Sequence, residues 1–162
     1  MLVNGERKQE KVFMIMRAIS TLAVLLFFVA CDSGSPFEDP IPPATFSDIV
    51  IDLAFPEYLA LGQDGGNVQV TANNAGVRGI ILHRANANTF IAFEKNCSFQ
   101  PNDVCATVEV HTSGLFMIDP CCGSTFTFTD GSPTGGPASL PLRIYRTQKD
   151  GSVITITDEV VN

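Results

Sequence analysis

The sequence predicts an all-β domain, an antiparallel sandwich or small barrel of about nine strands. Three observations carry this. From Ser47 onward, short runs of β-branched and aromatic residues recur, several of them alternating apolar with polar positions. Gly, Asn, Pro and Asp separate the runs, as turns require. No window offers a capped helix with a sustained 3.6-residue period, PEYLAL near Pro56 excepted.

The runs follow in order. SDIVIDLAF places Ile49, Ile51 and Leu53 on one face, and NVQVTA alternates through Val68 and Val70. GIILHR, TFIAFEK, ATVEVH, LFMID, STFTFT, LRIYRT and SVITIT complete the set. The domain they form spans residues 47–162. No block repeats at a solenoid period.

Composition narrows the function classes. The chain has 162 residues, enough for one domain, with 17% charged and 45% hydrophobic residues, 13 Gly, 10 Pro and no Trp. This is a turn-rich globular balance, not that of a disordered chain. Net charge is -7, and four of the ten basic residues, Arg7, Lys8, Lys11 and Arg17, precede position 31. The remaining chain carries six Lys and Arg against fifteen Asp and Glu. Such a surface repels phosphate backbones and excludes nucleic acid as a natural partner.

Residues 1–30 read as a signal peptide, with Met14 or Met16 as alternative starts because ERKQEKVF is charged. Arg17 precedes an apolar run to Ala30 that is short for a bilayer span of about 20 residues. FVAC, ending at Cys31, resembles the lipobox of bacterial lipoproteins, with Phe28 an unusual residue at its apolar end. The resemblance implies cleavage before Cys31, lipid on that cysteine and a place in the bacterial cell envelope, on the periplasmic or surface face. An uncleaved anchor is the alternative; either way the partner is a membrane. DSGSPFEDPIPPATF follows, so residues 31–46 read as a lipidated cysteine and an extended tether.

Four cysteines remain: Cys97, Cys105, Cys121 and Cys122. Export favours disulfides, and four cysteines allow three pairings. Bonding the neighbours Cys121 and Cys122 is the most strained, which favours two cross-links from the Cys97–Cys105 segment to DPCCGSTF. A Cys105–Cys121 bridge would contribute roughly 3 kcal/mol in the chain-entropy model. Zinc is disfavoured because the spacing lacks C-x2-C knuckles. Redox activity wants a nearby cation, and only Lys95 offers one. His83 and His111 read as surface or edge-strand residues, and Asp103, Asp119 and Asp130 as turn formers. No nucleophile–base pair or hydrolase motif is present, so an enzyme is not expected and no catalytic residue is assigned.

CCGSTFTFTDGSPTGGPASLPLRIY resembles the second half of a Rieske iron–sulfur domain. The matching residues are Pro120, Gly123, Ser124, Phe126, Asp130, Gly131, Gly136, Pro137, Ala138, Pro141, Leu142 and Tyr145. VRGIILHRANANTFIAFEKNCSF is similar to the strands entering the family's first ligand loop, and the likeness runs roughly from Val68 to Thr157. It implies two loops facing each other across a [2Fe–2S] cluster held by two Cys and two His. The ligand positions here carry Cys97, Phe99, Asp119 and Cys122. Only one is kept in kind, so no metal or cofactor is expected, with [2Fe–2S] as the alternative. The family's loop-bridging disulfide maps to Cys105–Cys121, and Cys97–Cys122 would fill the vacated cluster position. Cys97–Cys121 with Cys105–Cys122 is the other pairing. The function implied is structural or protein-binding, as an accessory subunit of a membrane complex, with Phe99 a hydrophobic anchor at the tip and an unknown envelope protein as partner. The alternative is electron transfer through an iron–sulfur centre with atypical ligands, Asp119 included.

Overall fold

The computed structural model describes residues 39–71 and 74–162. Met14, Met16, the lipobox and Cys31 lie outside the described residues. Among the described residues no helix is long and apolar enough to cross a membrane.

The expectation of an all-β architecture holds. Among the described residues the ten strands are β1 (Ile49–Asp52), β2 (Asn67–Val70), β3 (Ile80–Asn86), β4 (Thr89–Glu94), β5 (Glu109–Val110), β6 (Met117–Ile118), β7 (Thr125–Phe126), β8 (Pro133–Gly135), β9 (Ile144–Asp150) and β10 (Val153–Val160). They form a six-stranded sheet, β1-β10-β9-β4-β3-β2, and a four-stranded sheet, β5-β6-β7-β8. Every pairing is antiparallel. β8 is the strand beyond the nine expected, because its Pro133-Thr134-Gly135 sequence carries turn residues, not strand formers.

The large sheet is buried on both faces at its centre, which explains the unbroken apolar run in GIILHR. Ile80 and Leu82 of β3 join one core with Phe90 and Ala92 of β4. Ile81 and Phe93 point the other way, into a second core with Met117 and Phe126 of the small sheet. Period-two alternation thus splits one run between two cores. Ile51 of β1 and Val70 of β2, at opposite ends of the strand order, share the first core, so the sheet curls on itself. Leu61 fills the same core from a 3-10 helix, Pro56–Gly62, which is the PEYLAL segment. Each large apolar side chain buried this way stabilises the fold by about 1.5–3 kcal/mol.

Two sequence expectations need correction. Residues 39–46 are not tether. The compact unit begins at Asp39; Ile41 is 2% exposed, and Phe46 packs edge-on against Tyr145 with centroids 5.0 Å apart. The cause lies a hundred residues away. Arg143 Nε meets Asp39 Oδ2 at 2.6 Å, and its other nitrogens donate to the Pro42 and Ile41 carbonyls. These donors satisfy backbone that Pro-rich sequence leaves without a ladder. His83 is likewise no edge residue. It sits on β3, between β2 and β4, is 7% exposed, and stacks on Phe128 at 4.4 Å.

Candidate functional site

Two loops converge at the small sheet. The first leaves β4, runs from Lys95 through Cys105 and is closed by the Asn96–Thr107 bridge and by Val108 N–H donating to the Lys95 carbonyl at 2.7 Å. The second joins β6 to β7. Asp119 organises it: its Oδ1 accepts from Cys121 N–H at 2.8 Å, its carbonyl accepts from Gly123 N–H at 2.8 Å, and its own N–H donates to the Ser124 carbonyl at 2.8 Å. Asp119 is therefore the turn former expected of it, yet it is fully buried.

A disulfide joins Cys105 to Cys121, with Cα atoms 5.6 Å apart, and fastens one loop to the other. Cys97 and Cys122 are free thiols whose sulfurs stand 3.9 Å apart, against about 2.05 Å for a bond. The expected Cys97–Cys122 disulfide is not formed in this structure. Cys122 Sγ instead lies 3.3 Å from Asp119 Oδ2 and 3.1 Å from Ser124 Oγ. Sγ of Cys97, Sγ of Cys122 and a carboxylate oxygen of Asp119 all fall within 4.8 Å of one another. Burial pushes the Cys97 thiol well above the ordinary thiol range. A backbone hydrogen bond from Phe99 pulls it down, and Asp119 and Cys122 raise it further. The shift disfavours the thiolate at Cys97, the form that nucleophilic chemistry needs.

Phe99 does not stand out as an exposed anchor. It is half-buried and packs against the second core. The exposed apolar side chain on this loop is Val104, at 92%.

The groups that hold the loops are less visible in sequence. Glu94, at the end of β4, is fully buried. Its carboxylate accepts from Val77 N–H (2.7 Å), Arg78 N–H (3.1 Å), Asn96 N–H (2.9 Å) and Tyr145 O–H (2.7 Å). A Cβ on Gly76, at φ +62°, would come within 2.3 Å of Glu94 Oε2, so this turn requires glycine. The signal was present: in TFIAFE, Glu94 falls in phase with Phe90 and Ala92, the core-facing positions. Arg78 then clamps the cysteine loop, donating from Nε to Asn96 Oδ1 (2.8 Å), from Nη1 to the Val104 carbonyl (2.7 Å) and from Nη2 to the Asp103 carbonyl (2.5 Å). Nothing local in VRGI announces this role. On the other side, Gly136 (φ +82°) allows the GGPA segment to lie against the second loop, where a Cβ would sit 2.5 Å from Ser124 Cα. Ala138 N–H donates to Ser124 Oγ at 3.0 Å across that contact.

A Rieske cluster can be tested against this donor set. It requires two imidazole ligands on one iron. Phe99 has no donor atom, and the two histidines are elsewhere. His83 lies on β3 with Nδ1 2.7 Å from Asn67 Oδ1, and His111 lies just after β5, stacked on Phe116. The residues present do not fit that cluster.

A large curled sheet, a small sheet and two facing loops joined by a disulfide form the layout implied by the sequence resemblance. No family model and no curated protein matches the chain. Among solved structures, a chain in the complex of reduced oxygenase and oxidized ferredoxin in carbazole 1,9a-dioxygenase is 19% identical, with a TM-score of 0.44; the match covers 62% of this chain and 87% of that one. The ferredoxin of carbazole 1,9a-dioxygenase from Nocardioides aromaticivorans IC177 is 20% identical, with a TM-score of 0.41, covering 59% and 86%. Likeness at this level says nothing of chemistry, which must come from the residues.

Proposed function

We propose that this chain is a lipid-anchored protein of the bacterial envelope whose Rieske-like domain has exchanged cluster-based electron transfer for a role in protein contact. The observation that carries the reading is the donor set at the loop tip. Phe99 stands where the resemblance places a ligand and packs, half-buried, against the second core, and neither histidine approaches the site. Lipid on Cys31 supplies the membrane attachment, and an envelope protein is the partner. Val104, exposed beside the Cys105–Cys121 bridge, offers that partner an apolar contact.

The full chain extracted from membranes in detergent is expected to be colourless and free of acid-labile sulfide, and Cys31→Ala is expected to release it from the membrane fraction. A brown protein with two irons and two sulfides per chain would overturn the cluster-free reading. A second reading retains electron transfer through iron bound by atypical ligands. It is favoured by the convergence of Cys97, Asp119 and Cys122.

A further inference from the structure

Asp119 raises a question that its turn-forming role leaves open. It is a fully buried carboxylate, and none of the salt bridges among the described residues reaches it. Its Oδ1 has a backbone donor, but among the described residues the side-chain donors to its carboxylate are the weak S–H groups of Cys122 and Cys97. Buried carboxylates are normally paired with a cation, because desolvation is costly. A disulfide between Cys97 and Cys122 would occupy both sulfurs and still leave this carboxylate without one.

The distances suggest what the cation is. In a tetrahedral site with metal–sulfur bonds of about 2.3 Å, two sulfurs stand about 3.8 Å apart. The Cys97–Cys122 separation is 3.9 Å. With a metal–oxygen bond of about 2.0 Å, a sulfur and an oxygen on the same ion stand about 3.5 Å apart. Cys122 Sγ and Asp119 Oδ2 are 3.3 Å apart. Two of the three donor separations thus match edges of one coordination tetrahedron, and the third pair, Cys97 Sγ and an Asp119 carboxylate oxygen, lies within 4.8 Å.

We propose that Cys97, Asp119 and Cys122 form a site for a single divalent ion of the zinc class, one ion where the fold's relatives would hold a two-iron cluster. The proposal rests on the cluster-free reading above. Binding converts both thiols to thiolates and releases two protons to solvent; no electron moves. Two thiolates and one carboxylate leave a fourth position for water. Ser124 Oγ, 3.1 Å from Cys122 Sγ, turns its hydroxyl to donate to the thiolate, and Asp119 Oδ1 keeps its backbone donor.

The test uses the full chain purified in detergent under anaerobic conditions, with the Cys105–Cys121 bond verified and two titratable thiols counted. Cobalt(II) titration is expected to reach saturation at one ion per chain, with an intense thiolate-to-cobalt charge-transfer band that zinc(II) abolishes. X-ray absorption of the zinc form is expected to give two sulfur and two oxygen neighbours. Cys97→Ser and Cys122→Ser are each expected to lose the charge-transfer band. Asp119→Asn is expected to keep a weaker-binding dithiolate signal. Circular dichroism and the retained disulfide confirm that each variant is folded. Absence of a charge-transfer band in wild-type chain with both thiols free would overturn the site, as would a band that survives in the Cys97→Ser, Cys122→Ser double variant. Either result leaves the cluster-free reading standing; two irons with sulfide would overturn both.

Discussion

The two sheets are stabilised by different means. The large sheet has strands of up to eight residues, apolar on both faces at its centre, and would be recognisable from hydrophobicity alone. The small sheet has strands of two or three residues, too short to hold by backbone pairing. Specific devices stabilise it: the Cys105–Cys121 bond, the Asp119 turn, the Arg78 clamp and the close approach of Gly136 to Ser124. Apolar burial is spread over many residues and tolerates change. A device is a single residue, and its loss is local and complete. The candidate site is built where devices predominate, which is how two loops can present three candidate ligand atoms within 4.8 Å.

The difference can be broken first at the joint. Glu94 belongs to the large sheet by position and to the loops by its hydrogen bonds. Glu94→Leu strands the hydroxyl of Tyr145 and three backbone N–H groups; at about 1–3 kcal/mol for each buried group left unpaired, the loss should exceed about 3 kcal/mol in urea denaturation. Replacing Cys105 and Cys121 together by Ser is expected to remove about 3 kcal/mol. Its signature is regional: amides around β5–β8 gain hydrogen exchange while those of β3, β4 and β9 keep their protection. Equal gains in both sheets would show that the two do not differ in this way. Gly136→Ala should cost about 1–3 kcal/mol through overpacking against Ser124, again with the exchange gain confined to the small sheet. The mildest change concerns pH. Burial lowers the His83 pKa from its ordinary 6.5, so the unfolded chain takes up this proton first. The stability contributed by neutral His83 is therefore complete above pH 6.5 and is lost as pH falls through the lowered folded value. His83→Gln is expected to flatten the stability–pH curve in that window, and an unchanged curve would count against the assignment.

How much of this was legible follows the same division. The long strands could be read because alternation and β-branched runs are local signals. The convergence of the loops and the Cys105–Cys121 bridge were accessible through the Rieske resemblance, carried by Gly123, Ser124, Gly136, Pro137 and Ala138. The rest depended on partners distant in sequence. Arg143 binding residues 39–42 cannot be read from a Pro-rich stretch, nor Arg78 holding the 101–105 loop from its own neighbourhood. His83 looked like an edge residue because a polar side chain on a strand usually faces water; Phe128 covers it instead. The state of Cys97 and Cys122 was beyond pattern reading, since it turns on less than 2 Å and on what Asp119 and Ser124 do with the second sulfur.

The Arg143 contact with Asp39 has a further consequence, one of reach. If the chain were free from Cys31 to Phe46, a fully extended path would let the domain travel roughly 50 Å from the lipid, at about 3.4 Å per residue. In the proposed lipid-anchored form, fastening at Asp39 would leave at most the residues between that point and Cys31 to bridge to the lipid, a span of roughly 27 Å if fully extended. A lipidated Cys31 would then confine the domain to a shallow layer above the membrane. Partners would be met within about one domain diameter of the lipid surface. Arg143, deep in the sequence and remote from any anchor, would be the residue that sets that height.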